Sequence, residues 1–352
     1  MSNTFTAEVD ALFSTYDKNS KSARDIEITK SYYGITGNGK TSMELVGKPY
    51  GLTRESVRQI MGRVVSEIDH PAKSDVLEKC FLIISKQAPI SAKRLETILS
   101  EEGIIPEGFM IEGVINAIDL FTSYKDKYVI VKENDHRFVV PVKLSKAPKD
   151  VLSKATKEIS HNGATSVSVV AKTLSAKLPS TVKTQFVIDV VSTVDEMDWI
   201  DTDSNWFYFG DKGRNRLLQR LERIFSLISS AKPEDIYLAM DRAWNKNRKA
   251  ISQVPPAEII ASIAKVHPSY DLNEEGEVIA IVTKGVEVLT DYEAKLAHAL
   301  IEAENHTLRE KTLEDTLVEN PKEKYAFSQA LNYSPLVVKR ERGVYSLVGT
   351  PK

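Results

Sequence analysis

The chain carries four polar side chains within a short stretch that suit the edges of DNA bases: Arg54, Glu55, Arg58 and Gln59. An arginine can form two hydrogen bonds with guanine, a glutamine can form two with adenine, and a glutamate can accept one from cytosine. Apolar residues recur through the same stretch at helical spacing: Val57, Ile60, Met61, Val64 and Ile68. We therefore predict a helix that buries its apolar stripe and presents its polar side chains to a duplex.

The residues before this helix predict how it is positioned. Thr53 is a suitable N-cap, because its hydroxyl can accept a hydrogen bond from an N–H group of the first turn. Residues 41–48 predict a short helix, and Gly51 lies in the turn that follows it. A helix, a turn that contains glycine and a second helix form a helix-turn-helix, which places its second helix in the major groove. We expect DNA contacts from Thr53 and the four polar residues, and also from Lys48 and Arg63.

The same part of the chain resembles region 4 of primary-type bacterial sigma factors, the module that holds the −35 promoter element. The resemblance covers roughly residues 22–68, and its most specific segment is Gly-Leu-Thr-Arg-Glu-Ser-Val-Arg-Gln-Ile at residues 51–60. It implies that Arg54, Glu55, Arg58 and Gln59 touch DNA and that RNA polymerase is a second partner. Three residues depart from the family pattern, namely Ser56, Tyr50 and Pro49. Pro49 removes a backbone donor, so we expect a changed turn.

The remainder of the chain shows one pattern that is used four times. Each unit contains three helical patterns followed by two strand patterns around a polar turn. Three helices closed by a two-stranded wing form the winged-helix plan. We predict a mainly α protein with small β wings (α+β). Its helix-turn-helix domain would span residues 1–70, and its winged-helix-like units would span residues 71–146, 147–211, 212–286 and 287–352.

The predicted wings differ in charge. The first contains Lys132, His136 and Arg137, and the fourth contains Lys339, Arg340 and Arg342, whereas the second and third are acidic. Basic wings suit the phosphate backbone, and acidic wings suit a protein partner. We therefore take Lys339, Arg340 and Arg342 as candidate phosphate contacts. The alternative is that these charged turns are only solvated surface.

A second basic cluster lies in the third unit. Arg216, Arg220 and Arg223 share one helical face through their i, i+4, i+7 spacing, and Arg248 lies in a later basic run. One interpretation is a phosphate-binding surface that includes Arg216, Arg220 and Arg248. The other is a solvated face whose arginines pair with Glu222 on the same helix.

The composition limits the classes of function. The net charge is −2, so any affinity for nucleic acid has to come from local basic patches. The single Cys80 lies in an apolar run and is expected to be buried, and the six His show no metal-binding spacing. No apolar run is long enough for a bilayer and no signal peptide is seen, so we expect a cytoplasmic, nucleoid-associated protein. We expect no enzyme activity, cofactor or metal.

These observations predict a sequence-specific, double-stranded DNA-binding protein that serves as a transcription regulator or accessory factor. The alternative is a protein-interaction scaffold or adaptor that uses the tandem units. Such a scaffold would bind RNA polymerase or belong to a defence or mobile-element complex.

Overall fold

The structure is a computed structural model, and it describes residues 4–16, 21–68, 73–178, 182–201, 203–210, 214–244 and 254–352. It is mainly helical with small antiparallel sheets, which confirms the α+β class. The chain divides into two compact units. The first contains Met1–Leu152 and Ala171–Val194, and the second contains Ser153–Val170 and Asp195–Lys352. Each unit is larger than any one of the five domains predicted from the sequence. The boundaries of those five domains stay predictions.

The first unit begins with four helices: α1 (Phe5–Ser14), α2 (Ser22–Tyr33), α3 (Met43–Gly47) and α4 (Arg54–Glu67). A 3-10 turn at Lys48–Tyr50 connects α3 to the segment before α4. Helix α4 packs against both α2 and α3. Helix α1 buries Phe5, Val9 and Phe13, and its phenylalanine rings meet Phe109 and Phe121 edge to face. Apolar burial of this kind is the main force that holds the helices together.

After α4, one order of elements recurs four times in the described residues: a helix, a short strand, two helices and a hairpin. The first repeat contains α5 (Asp75–Gln87), β1 (Ile90–Ser91), α6 (Ala92–Glu101), α7 (Ile111–Phe121), β2 (Tyr128–Glu133) and β3 (His136–Pro141). The second contains α8 (Ala147–Asn162), β4 (Thr165–Ser166), α9 (Val167–Ser175), α10 (Thr184–Val191), β5 (Met197–Asp201) and β6 (Trp206–Phe209). The division between the two compact units cuts through two helices of this repeat, α8 after Leu152 and α9 after Val170.

The third and fourth repeats lie in the second unit. The third contains α11 (Arg216–Leu227), β7 (Ile228–Ala231), α12 (Pro233–Trp244), α13 (Ala257–Val266), β8 (Tyr270–Leu272) and β9 (Val278–Ala280). The fourth contains α14 (Asp291–Glu302), β10 (Thr307–Arg309), α15 (Glu310–Leu317), α16 (Lys324–Tyr333), β11 (Val337–Glu341) and β12 (Val344–Leu347). A last strand, β13 (Thr350–Pro351), pairs with β7. The predicted helices and hairpins are therefore present in all four repeats, with small shifts at their ends.

All four sheets are built in the same way. Their strand orders are β1-β3-β2, β4-β6-β5, β13-β7-β9-β8 and β10-β12-β11. In each repeat the short first strand pairs antiparallel with the last strand of the hairpin, as Ile90 does opposite Val139. These first strands were not predicted from the sequence. Runs of two to four residues are too short to show the alternation of apolar and polar side chains that indicates a strand.

The apolar residues of the helices and hairpins form the cores. In the first repeat Leu77, Cys80 and Ile84 are fully buried on one side of α5. The predicted burial of Cys80 is thus confirmed. Burial raises the pKa of its thiol to about 12, so this thiol stays protonated and unreactive near neutral pH.

Within the described ranges, no helix combines the length and the apolar character needed to cross a bilayer. Among the same residues, no cluster of three or more His, Cys, Asp or Glu is placed to hold a metal ion.

Candidate nucleic-acid interface

The two helices of the candidate interface are each started by a capping side chain. Ser42 Oγ accepts a hydrogen bond from the N–H of Leu45 at 3.2 Å, and this begins α3. Thr53 Oγ1 accepts one from the N–H of Ser56 at 3.2 Å, which confirms Thr53 as the N-cap of α4. Such caps satisfy backbone donors that have no partner within the helix. The first exposed turn of α4 is therefore held in a defined position.

Two glycines allow the turn between the helices. Gly51 has φ +62°, a left-handed conformation that side chains disfavour, although no atom would obstruct a Cβ there. Gly47 instead allows the backbone of α3 to lie close to α4 and to the segment before it. A Cβ at this position would lie 2.8 Å from the Val57 side chain and 2.9 Å from the carbonyl oxygen of Leu52. Any larger residue at position 47 would push α3 away from α4.

Two residues of this turn, Pro49 and Tyr50, differ from the pattern of sigma region 4. Pro49 lies in the 3-10 turn that follows α3. The side chain of Tyr50 is not packed beneath the turn but is 36% exposed, and its hydroxyl donates to a carboxylate oxygen of Glu27 at 2.8 Å. This hydrogen bond ties the turn to α2.

Helix α4 separates its apolar and polar side chains onto opposite faces. The predicted apolar stripe is buried in full: Val57 0%, Ile60 6%, Met61 4%, Val64 0% and Ile68 3% exposed. The predicted DNA-contacting residues Thr53, Arg54, Glu55, Arg58, Gln59 and Arg63 are all exposed, and so is Lys48 in the turn. The sequence pattern therefore gave the right orientation for the helix.

The exposed polar groups of α4 form a hydrogen-bonded set of their own. Arg58 donates to both carboxylate oxygens of Glu55, from Nε at 2.8 Å and from Nη2 at 2.6 Å. Gln59 Nε2 donates to the same carboxylate at 3.0 Å. These hydrogen bonds lower the pKa of Glu55 to about 2, and the contribution of Arg58 is the largest. Glu55 therefore stays ionised at every physiological pH and orients both neighbours.

The remaining charges of this face favour the binding of a polyanion. Arg54 Nε lies 3.7 Å from a carboxylate oxygen of Glu44 on α3, and both side chains are more than half exposed. With Lys48 and Arg63 included, four cations outnumber the carboxylates of Glu44 and Glu55. Exposed pairs contribute little to stability, so phosphates and base edges can compete for these arginines.

The second basic cluster has a different environment. Arg223 forms an ion pair with Glu293, whose side chain is only 4% exposed. Glu222 instead pairs with Lys284 at 2.7 Å, so the expected intrahelical pairing of the arginines with Glu222 was wrong. Arg216 and Arg220 are half-buried on the same helix, and Arg248 lies outside the described residues.

Some basic side chains of the predicted wings are engaged within the protein. Arg137 in β3 donates to Glu112 at 2.5 Å and to Glu96 at 3.0 Å. Arg340 in β11 forms two hydrogen bonds with Asp235, at 2.5 and 2.8 Å. The acids lie far away in sequence, so nothing local in the chain indicated these pairs.

The other two cations of the fourth wing point to the surface. The ammonium group of Lys339 lies 5.8 Å from the centre of the Tyr345 ring, and both Lys339 and Arg342 are exposed. Both can meet a phosphate without the loss of an ion pair to a buried carboxylate, which makes them the more accessible candidates in this wing.

A search against profiles of known protein families finds no match for this chain.

Proposed function

We propose that this protein binds double-stranded DNA in a sequence-specific manner through α4, as a transcription regulator or accessory factor. The observation that carries the proposal is the division of α4 into two faces. Its apolar stripe is fully packed, whereas Arg54, Glu55, Arg58 and Gln59 face outward. These exposed side chains, which lie within two turns of one helix, are of the types that pair with base edges.

The dimensions of α4 suit the major groove. Its 14 residues give a length of about 21 Å, and the groove admits an α-helix. The first turn, capped by Thr53, carries Arg54 and Glu55, and the second turn carries Arg58 and Gln59. Residues near the start of a recognition helix are the ones that reach base edges in helix-turn-helix proteins.

The carboxylate of Glu55 gives this surface a means of discrimination. It holds Arg58 and Gln59 in the free protein, so binding has to replace their hydrogen bonds with hydrogen bonds to bases. A site that offers guanine, adenine and cytosine at the right positions satisfies all three groups. A wrong site leaves Glu55 facing acceptors and is disfavoured.

The four repeats are proposed to be winged helices that extend the footprint or hold a partner. The recurring order of helices and strands supports this proposal, as does the shared strand order of the sheets. The resemblance of residues 22–68 to sigma region 4 makes RNA polymerase a candidate partner. A nucleoid location would follow from binding to chromosomal DNA.

The proposal is tested by selecting bound sequences from a random duplex pool and measuring affinity for the selected site. The double substitution Arg58→Ala, Gln59→Ala should weaken specific binding by about 2–5 kcal/mol, since two base contacts are lost. Non-specific binding should change far less. Fluorescence anisotropy at fixed salt concentration measures both.

A matched control is the double substitution Lys79→Ala, Gln87→Ala on α5, which removes the same kinds of group from another helix. The control should bind the selected site like the unmodified protein. If the α4 variant also binds it unchanged, or if no sequence is enriched, α4 does not read DNA.

The second candidate function is a protein-binding scaffold, which one observation in the second unit favours. Ile281, Val282 and Val286 expose 61%, 65% and 53% of their surface within one short segment. Exposed apolar patches of this kind often mark protein contacts. A chain that enriches no duplex sequence but retains RNA polymerase in a pull-down would favour the scaffold.

A further inference from the structure

A cavity of about 400 Å³ in the second unit is lined by four arginines that lie on α11 or just before it: Arg214, Arg216, Arg220 and Arg223. We call it the arginine cleft. Gln219, Glu222 and Val288 complete its lining. The carboxylate of Glu222 is bonded to Lys284 at 2.7 Å, so it does not neutralise the arginines. The cleft is therefore strongly cationic.

The arginines of the cleft have different surroundings. Arg223 has a structural role, because it pairs with the buried carboxylate of Glu293. Arg220 is half-buried, and its Nη1 lies 3.9 Å from the sulfur of Met240. Burial, and then the nearby charges of Arg223, Arg216 and Arg242, lower the pKa of Arg220 to about 10, against the opposing effect of Glu293. A phosphate bound in the cleft would further offset the repulsion between these like charges.

The donors of the cleft are guanidinium groups and not backbone N–H groups. Asn215 Oδ1 accepts from the N–H groups of Leu217 and Leu218, at 3.0 and 3.1 Å, so the first turn of α11 is already satisfied. Guanidinium groups bind phosphate through paired, charge-assisted hydrogen bonds. Within the described part of the chain, no ion pair joins Arg214 or Arg216 to a carboxylate.

A second cavity of about 540 Å³ adjoins the arginine cleft, and Arg220 and Arg223 line both. Its other walls include Tyr292, Tyr333 and Ala326, together with the carboxylates of Asp291 and of Glu293, the latter paired with Arg223. Aromatic side chains beside a cationic groove are the usual platform on which bases stack. The pair of cavities therefore offers one place for a phosphate and a neighbouring place for the group attached to it.

We propose that the arginine cleft binds the phosphate group of a nucleotide, with the base or sugar in the adjoining cavity. Arg214 and Arg216 bind it at the exposed mouth and Arg220 binds it from within, while Arg223 keeps its ion pair with Glu293. The phosphate belongs either to a free nucleotide or to a nucleic-acid strand. This inference does not rest on the proposed function of α4, because its residues all lie in the second unit.

The test uses the full chain and isothermal titration with inorganic phosphate, adenosine 5′-monophosphate and a duplex of random sequence. The double substitution Arg214→Gln, Arg216→Gln removes two donors that hold no buried carboxylate. It should weaken binding of the mononucleotide by at least about tenfold, the effect of one lost charge-assisted hydrogen bond. The control Lys265→Gln, Arg309→Gln makes the same change of charge at exposed positions and should bind normally.

A spectroscopic readout reports on the cleft directly. Burial lowers the pKa of His161, and the charges of Arg216, Lys157 and Arg214 lower it further against the opposing effect of Glu158. A dianion bound in the cleft should therefore raise the pKa of His161. We expect this rise in an NMR titration of the unmodified protein with the mononucleotide, and no rise in the Arg214→Gln, Arg216→Gln variant.

The two sources of phosphate give different results. If the mononucleotide binds more tightly than inorganic phosphate and the duplex does not displace it, the ligand is a free nucleotide. If the duplex displaces it, the ligand is a strand. Both results require that the Arg58→Ala, Gln59→Ala variant retains binding in the cleft. Equal binding by the cleft variant and the unmodified protein, or an equal loss in the control, would overturn the proposal.

Discussion

On α4 the arginines are exposed and lie beside acids of the same helix or of α3, whereas on α11 they are half-buried. Arg58 pairs with Glu55 one turn away, and both side chains are more than half exposed. Arg223 reaches Glu293, a buried carboxylate of the following repeat. The pair of Arg58 and Glu55 can open at a small cost in free energy when a ligand binds. The pair of Arg223 and Glu293 cannot open without leaving a buried charge unpaired.

This difference separates two uses of the same side chain. An arginine that reads DNA has to be released from its partner when the duplex arrives, so an exposed, solvated pair suits it. An arginine that fixes the packing of two repeats has to stay in place. Arg220 is partly buried, and three neighbouring arginines and the carboxylate of Glu293 act on it with opposite effects. The three predictions below test this comparison.

The largest expected effect is on stability, from the loss of the buried pair. Arg223→Met should lower the free energy of unfolding by about 3 kcal/mol, because the carboxylate of Glu293 would remain buried without its partner. Denaturant titration followed by circular dichroism measures this. The matched change Arg54→Met breaks an exposed pair and should alter stability by less than about 0.5 kcal/mol. Equal effects of the two substitutions would abolish the distinction between the pairs.

A smaller effect of opposite sign is expected at Arg220. Its pKa is lowered from the ordinary value to about 10, so the folded state disfavours the charged form at neutral pH. Arg220→Met keeps an unbranched apolar side chain and removes the charge, and it should raise the free energy of unfolding by about 1 kcal/mol. The measurement is again denaturant titration at pH 7. A loss of stability would mean that the charge of Arg220 supports the fold.

The smallest effect is a change in titration on α4. The pKa of Glu55 is lowered to about 2 by its hydrogen bonds from Arg58 and Gln59. The pair therefore stabilises the folded state at pH values above the ordinary pKa of a glutamate. This contribution is lost as the pH falls toward 2. NMR titration of the side-chain carboxylate should show the low pKa, and Arg58→Ala should return it toward the ordinary value. An ordinary pKa in the unmodified protein would mean that the set is not formed in solution.

Much of the interface could be predicted from the sequence because its determinants are local. The apolar spacing of Val57, Ile60 and Val64 fixes which side of α4 is buried, and Thr53 fixes where the helix begins. The pairing of Glu55 with Arg58 is also local, since residues three apart are neighbours on a helix. The function of the exposed face is not fixed by these local rules and stays a proposal.

The features that sequence analysis missed depend on residues far apart in the chain. The partners of Arg223, Arg340 and Arg137 come from other elements, and a list of charged residues does not indicate which of them will meet. The short strands were missed for a related reason. Strand β13 is two residues long and is recognisable only through its pairing with β7.

The interleaved composition of the two compact units has a consequence for biosynthesis. The first unit needs Ala171–Val194, so it cannot be completed until the ribosome has passed residue 194. The segment Ser153–Val170 is translated earlier but belongs to the second unit, whose other part begins at Asp195. At ordinary rates of translation the rest of that part takes on the order of 10–30 s to emerge. During that interval the apolar residues of this segment that are buried in the folded protein, such as Val167 and Val170, lack the rest of the unit to which they belong.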